Sequence, residues 1–500
     1  MLVLLHFCPA LFGQNKQDYN WIIGYDTSYL VPGGDAIKMN FENETLHISM
    51  VETVEKFHME GSNSSMSDSL GNLLFYTNGC YIVNAEHKIM ANGDTISPGI
   101  LYDAWCDKGG NPLSQGAIAV PGSDHLFYVF TLDFEWAYLW DPYTTPVSEQ
   151  YLELAPLHLY YQVIDMTQAG GLGAVVAKNQ VAVADTLARA NIQACRHANG
   201  RDWWVIVPES HSNCYYLILI TPEGVQPPLK RCEGRVWSDL DWQGQAVFSP
   251  DATRYIRFNA WNGLNIYNFD NCTGSLSNAI SVDFPNDTSH VAGAAVSPNS
   301  RFLYADMKYK VYQFDLWADD IPASQTLIAV WDGFFNPYAT IFYKSALAPD
   351  GKIYISSTSS HRSLHVIHHP DLKGTACDLE QHGLALPAFN FNTIPNLPHY
   401  RNGPFAPCEP SGTEDAATAG DISVFPNPAS RYFNIRFSPA HPPSDIRVFD
   451  LAGREKAHLA SDVLAGRTGA EISLAGWPPG IYLVRADFGE RQVVRKIAVF

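Results

Sequence analysis

Charge is in short supply in this 500-residue chain, at 17% of residues, and it leans acidic: 32 Lys and Arg stand against 51 Asp and Glu, for a formal net charge of -19. Soluble domains ordinarily carry about a quarter. Binding to nucleic acid needs clustered Lys and Arg to neutralise phosphates, and no such cluster occurs, so that class is excluded. Long apolar runs are missing too, and with them any transmembrane span; Met1–Gly13 is apolar but too short to cross a bilayer. The nine cysteines include no Cys-x-x-Cys pair and no Cys/His spacing suited to zinc. There is no Gly-x-Ser-x-Gly elbow, no His-Glu-x-x-His and no Asp-box repeat, which removes common hydrolase signatures. Gly170-Gly-Leu-Gly173 lacks the Lys-Ser/Thr of a phosphate loop and no helical pattern follows it, so it reads as a turn between strands. Neither a cofactor nor a metal is expected.

What the chain does have is a repeated phrase. Ala246-Val-Phe-Ser-Pro-Asp251 runs through a turn into Tyr255-Ile-Arg-Phe258 and on to Gly263–Asp270: strand, turn, strand, break, strand. The phrase returns at Ala294–Tyr304 and again at Ser345–Tyr354, with Pro250, Pro298 and Pro349 standing 48 and 51 residues apart. Earlier copies anchor at Leu70, Pro121 and Asn199, giving steps of 51, 78 and then 51 again. The long step marks an insertion, placed within Leu132–Leu159. A period near 50 with several short strands per unit is the signature of a β-propeller, whose units cannot bury their faces alone. The fold class is therefore all-β. Residues 18–408 are expected to form a propeller of seven blades, six or eight also fitting the spacing. The strand-like stretches Tyr19–Tyr25 and Asp35–Phe41 precede the first clear unit, and Leu384–Phe391 and Leu397–Gly403 follow the last. One blade built jointly by the two ends would close the ring without an open edge.

Met1–Gly13 looks like the apolar region of a secretory signal peptide without its usual basic start, so the true start is expected upstream. Export permits disulfides among the eight cysteines beyond Cys8. Pairing by proximity in sequence joins Cys195 with Cys214 and Cys377 with Cys408; the plainer alternative leaves several as buried free thiols. Arg196-His197-Ala-Asn-Gly-Arg201-Asp202-Trp203-Trp204 gathers charge, an imidazole and two indoles, and is the leading candidate for ligand binding. It reads more simply as a hairpin turn whose tryptophans alternate between core and surface. His361, His365, His368 and His369 lie close in sequence, but strand alternation keeps the last three from facing one way. Asp239 and Asp241 share one face, as calcium or a glycosidase pair would need, although lone acidic pairs are more often solvated loops.

After Cys408 the composition changes. Residues 409–420 are small, polar and acidic, the make-up of a flexible linker, and residues 421–500 hold no cysteine and ten Lys and Arg against eight Asp and Glu. Some seven short strands in 80 residues suit a small immunoglobulin-like sandwich. Val424-Phe-Pro426-Asn427-Pro428-Ala429, Val448-Phe-Asp-Leu-Ala-Gly453-Arg454, Pro479-Gly480-Ile-Tyr482-Leu-Val484 and the terminal Lys496-Ile-Ala-Val-Phe500 carry a resemblance. Together they resemble the C-terminal sorting domain of type IX secretion substrates in Bacteroidota. The resemblance implies passage through that machinery, removal of the tail by a surface peptidase, and release or attachment at the cell surface. The remainder is similar in repeat style to WD40-like propeller cargo, although the Trp-Asp mark at Trp331-Asp332 does not recur from unit to unit.

Two functional classes fit. In the first, a propeller face rich in Trp, Tyr, Asn and Asp contacts an extracellular glycan or protein. In the second, acids converging on the channel mouth make a secreted polysaccharide- or peptide-degrading enzyme. Inward Asp, Glu and His would favour the enzyme; a neutral channel would favour binding.

Overall fold

A computed structural model describes residues 15–25, 35–51, 58–106, 108–140, 150–237, 243–284, 291–400 and 408, and then 422–425, 429, 431–437, 442–450, 453–464, 467, 469–489 and 492–499. The apolar start, the linker 409–420, Pro426–Pro428 and the pair Asp239 and Asp241 lie outside the described residues. Contacts divide the chain into Met1–Pro407 and Cys408–Phe500. Both units are all-β.

In the first unit the described strands make small antiparallel sheets in chain order. Asn20–Gly24, Ala36–Asn40 and His47–Val51 form the first, and Ser64–Ser67, Leu73–Thr77 and Ile82–Asn84 the second. Ala117–Pro121, Leu126–Leu132, His158–Asp165 and Ala174–Ala184 form the third; Gln193–Arg196, Trp203–Pro208, Cys214–Thr221, Gly224–Val225 and Leu229–Cys232 the fourth. The fifth holds Gln245–Phe248, Arg254–Asn259, Gly263–Asp270 and Ser275–Val282. The sixth holds Gly293–Val296, Phe302–Met307, Lys310–Asp315 and Thr326–Val330; the seventh Ser345–Leu347, Ile353–Ile355, His361–Ile367 and Leu379–Asn390. A separate ribbon, Glu135–Trp140 paired with Gln150–Ala155, supplies the insertion in the place where the long step of the repeat puts it.

First strands lie beside first strands from the first sheet round to the seventh. The seventh returns to the first through a shared core in which Trp21, Phe41 and Tyr354 pack edge to face. Ser64–Ser67, Gln245–Phe248 and Gly293–Val296 are buried throughout, whereas the outer strands Thr326–Val330 and Leu229–Cys232 are largely exposed. This gradient explains the small residues of the first strands. Ala117, Ala119, Ala194, Ala246, Ala294 and Ala295 let neighbouring backbones approach where the sheets crowd together. The approach is closest at Gly293, where a Cβ would stand 1.9 Å from the Tyr343 carbonyl oxygen.

The expected sheet shared by both ends does not form among the described residues. The first sheet comes wholly from the N-terminal side, and Leu379–Asn390 completes the seventh. The ends meet instead through side-chain hydrogen bonds: Gly24 N–H donates to Asn390 Oδ1 at 3.2 Å and Asn63 Nδ2 to Thr393 Oγ1 at 3.2 Å. Cysteine pairing follows proximity in sequence at Cys80 and Cys106 but not at Cys195 and Cys377. Cys80 bonds Cys106 and Cys214 bonds Cys232, while Cys195 and Cys377 are buried free thiols. Cys214 lies directly across the ladder from Cys232, whereas Cys195 sits in the buried first strand of the same sheet. Cys195 and Cys232 stand almost equally far from Cys214 in the chain, and the ladder decides between them.

In the second unit, Ile422–Phe425, Tyr432–Phe437 and Gly469–Ser473 form one antiparallel sheet, and Glu455–Ala460, Asp445–Asp450, Gly480–Asp487 and Gln492–Val499 another. Phe433, Ile435, Ile446, Val448, Tyr482, Val484 and Ile497 share one apolar core.

Two glycines separate crowding from backbone strain. Gly351 sits in the repeated turn at φ 78° with open space around it, so Gly351→Ala should lose about 1 kcal/mol from the left-handed backbone alone. Gly293→Ala meets backbone and should lose about 3 kcal/mol. Urea melts of the two variants check the order.

Candidate functional site

Where the first strands converge, their inner edges present backbone N–H and C=O groups with no further strand to pair with. Carboxamides answer them. Gln115 Nε2 donates to Ala246 O at 2.9 Å and to Asn396 Oδ1 at 3.0 Å, and Gln193 Nε2 donates to the same two acceptors at 3.0 and 3.1 Å. Gln245 Nε2 donates to Ser345 O at 2.6 Å while its Oε1 accepts from Ala294 and Ser345 N–H, both at 3.0 Å. Asn396 arrives from the stretch after the seventh sheet. Its Nδ2 donates to Ala117 O at 3.0 Å and Ile192 O at 2.9 Å, and its N–H to Asn63 O at 2.7 Å. A carboxamide offers donor and acceptor together, which a carboxylate cannot do at neutral pH. The space left is about 30 Å³, bordered by Gln115, Gln193, Gln245, Ser345 and Asn396 together with Asp18 and His399, enough for water but not for a sugar or peptide.

Burial shifts two charged side chains near this centre toward their neutral forms. Asp306 is fully buried beside Ser345, and burial pushes its carboxyl up to about 8. Lys344 donates from Nζ to the Gly61 carbonyl at 3.2 Å, and burial pulls its ammonium down to about 7. Arg257 lies 3.6 Å from the Trp237 ring centroid, a buried cation on an indole face, and donates from Nε to Asn191 Oδ1 at 3.0 Å.

The hairpin from Arg196 to Trp204 turns its chemistry on itself. Arg196 and Trp203 are cross-strand partners; the guanidinium lies 5.0 Å from the Trp203 ring, which packs 5.4 Å from Tyr400. Burial lowers the Arg196 pKa below the ordinary arginine value. Arg201 Nε donates to Asp202 Oδ1 at 2.7 Å, and His197 Nε2 lies 3.0 Å from the Cys272 carbonyl. Asp202 works against desolvation, yet Arg201 and Asn199 hold its carboxyl below the usual range. Both tryptophans are buried, where alternation predicts one at the surface, because neighbouring sheets cover both faces of this one. Arg201, Asp202 and Trp203 border a recess of only about 20 Å³.

The four histidines do not converge. His361 and His365 are buried and burial lowers them to about 4 and about 3, while His368 pairs outward with Glu380 at 2.9 Å. Among the described residues no group of three His, Cys, Asp or Glu is placed to hold a metal ion.

Sequence reading passed over the loop between the sixth and seventh sheets. Phe334, Phe335 and Tyr338 are 44, 62 and 56% exposed, and Tyr309 beside them 43%. Tyr309 lies 5.6 Å from the Trp331 ring and Trp331 5.4 Å from Phe335. Hydrogen bonds fix the loop beneath the rings. Asp332 Oδ1 accepts from Phe334 N–H at 3.0 Å, Asp332 N–H donates to Gln381 Oε1 at 3.1 Å, and Thr340 Oγ1 donates to Phe334 O at 3.0 Å. His382 Nε2 stands 3.1 Å from Asp332 Oδ2 and its ring 4.6 Å from Phe334. Partial desolvation works against the Asp332 charge, but the Phe334 N–H and His382 outweigh it and hold the carboxyl below its usual range. On another face Pro250, Pro298 and Pro349, the three repeated turn prolines, line a depression of about 300 Å³ with Glu44, Asp350 and His399.

In the second unit Gly453 takes φ 76° in the turn that follows Asp450, whose Oδ1 accepts from Arg454 N–H at 3.0 Å. Tyr482 O–H donates to Pro478 O at 2.7 Å beneath Trp477, Gly480 opens the third strand of its sheet, and Lys496 lies across the ladder from Leu483.

Comparison with known proteins gives one family match: residues 423–500 match the secretion system C-terminal sorting domain. The tail directs type IX secretion, and the chain is exported to the cell surface or the extracellular space. Among the described residues no helix is long and apolar enough to cross a membrane. No curated protein matches the chain. Solved structures similar to it include a Lactobacillus plantarum protein, 13% identical over 75% of this chain and 98% of that one at a TM-score of 0.42. The Cps50 (Swd1) β-propeller domain of Myceliophteria thermophila is 10% identical over 69 and 91% at 0.38. The Pseudomonas aeruginosa periplasmic gluconolactonase PpgL is 10% identical over 96 and 99% at 0.36.

Two measurements probe the centre. Asn396→Ala strands several buried partners and should lose about 3 kcal/mol or more in urea unfolding. Asp306 keeps its proton to about pH 8 when folded and to 3.8 when unfolded. The stability tied to that proton is complete below the lower value and drains away as pH rises through the upper one. Asp306→Asn should therefore gain little melting temperature at pH 4 and most at pH 8.

Proposed function

We propose that this chain is an exported binding protein. Residues 18–408 act as a seven-bladed propeller that contacts an extracellular glycan or protein, and 421–500, an immunoglobulin-like sandwich beyond the linker 409–420, serves as its removable address. Met1–Gly13 is the apolar part of the leader that takes the chain across the inner membrane of a Bacteroidota cell. The partners in export are the type IX machinery and its surface peptidase. Support for seven blades comes from seven sheets whose first strands neighbour one another in turn.

The observation that carries the binding reading is the centre itself. Polysaccharide-cleaving propellers need paired carboxylates facing a substrate. Here four carboxamides take the centre and bond one another and the backbone, and Asp18 is a single carboxylate, not a pair, among the residues bordering the space. The exposed aromatic rings, by contrast, sit at the surface on a loop already fixed by hydrogen bonds. Arg196, His197, Arg201, Asp202 and Trp203 are assigned to support, since Trp203 braces Tyr400 and Arg201 and Asp202 satisfy each other.

Two outcomes follow. Deleting residues 421–500 should leave the remainder within the cell envelope, as fractionation and immunoblotting of surface and medium would show. Incubated with surface polysaccharide or peptide, the exported chain should bind without releasing shorter products; product release by chromatography overturns the reading.

A further inference from the structure

We propose that the loop from Trp331 to Tyr338, with Tyr309 beside it, is a binding site for a neutral oligosaccharide. This rests on the binding reading above and names its ligand class. An aromatic face is electron-rich, and the C–H face of a pyranose ring carries the complementary polarity, so ring-on-ring stacking holds a sugar without charge. Phe334, Phe335, Tyr338 and Tyr309 offer such faces to solvent, with the exposed Asn336 between them. Rings left in water are unfavourable unless something covers them, and a contiguous exposed patch marks an interaction surface.

Rigidity supports a ligand site. Trp331 N–H donates to Tyr309 O at 2.8 Å, Gln381 Nε2 to Val330 O at 2.9 Å, and Asn336 N–H to Tyr338 O at 2.9 Å, so little ordering remains for the bound state. Size selects the class of partner. A stable protein contact takes about 20–30 residues a side. This patch is one eight-residue loop and a neighbouring tyrosine, the footprint of a few sugar rings. Charge selects the kind of sugar. The chain carries -19 overall, and the groups beside the rings, Lys308, Asp332 and His382, include both signs, so nothing gathers an anionic polymer.

The test titrates the full chain with cellohexaose, laminarihexaose, maltohexaose, mannohexaose and chitohexaose, following tryptophan fluorescence and calorimetry at low and high salt. At least one should bind saturably and with no salt dependence. Phe335→Ala and Tyr338→Ala should each weaken it by about tenfold or more. Trp317→Ala, at an exposed ring on a different loop, should leave it unchanged. Thermal melts establish that the variants fold. Absence of binding to all five, or equal binding by both loop variants, overturns the site while leaving a binding protein in place. Loop substitutions that abolish only adhesion to a protein or to zwitterionic vesicles overturn the saccharide assignment. Shortening of the probe would instead remove the binding reading itself.

Discussion

Sheets brought together at a common centre leave a row of backbone amides and carbonyls there, and satisfying that row is the constraint on which the first unit depends. Buried peptide groups without partners lose roughly 1–3 kcal/mol each. Gln115, Gln193, Gln245 and Asn396 meet the need with an uncharged side-chain group that gives and takes hydrogen bonds at once. Small first-strand residues are the other half of the same solution, because only they allow the edges to come within reach of a single side chain. The exposed rings of Phe334, Phe335 and Tyr338 lie on the loop between the sixth and seventh sheets.

Much of the architecture was legible in the chain. The Ser-Pro-Asp phrase located the repeat because a turn needs particular residues wherever it recurs, and the 78-residue step located the inserted ribbon. The central glutamines were legible in principle. Each precedes small residues at the start of a first strand, Gln115-Gly-Ala, Gln193-Ala-Cys and Gln245-Ala-Val, but a polar residue at a strand start looks like any loop end. Asn396 carries no such phase. Its role depends on where a stretch without secondary structure is led, and that is a property of the assembled sheets.

The misjudged details share a physical cause. Cys214 takes Cys232 rather than Cys195 because Cys232 lies across the ladder, and Trp203 and Trp204 are both covered because two neighbours enclose their sheet. Each is decided by what lies across from a residue rather than along from it. The aromatic loop was hidden differently: Phe, Trp and Tyr in a chain with 13% aromatics look like core until exposure is known. The tail, by contrast, was legible as a domain, since its four motifs fall in order within the residues that match the sorting domain.

The path of Asn396 also sets an order in time. Ser64 Oγ donates to the Asn396 carbonyl across 332 residues of chain, and Asn15 Nδ2 donates to the Tyr400 carbonyl across 385. Contacts of such separation are the slowest to gain, because the entropy of closing the intervening loop must be overcome first. A nascent chain that has emerged only as far as its seventh sheet still exposes the edges that Asn396 seals, and such edges invite pairing with other molecules. Asn396 is thus among the last pieces of the first unit to be synthesised, and the sheet edges it covers stay open until it is in place.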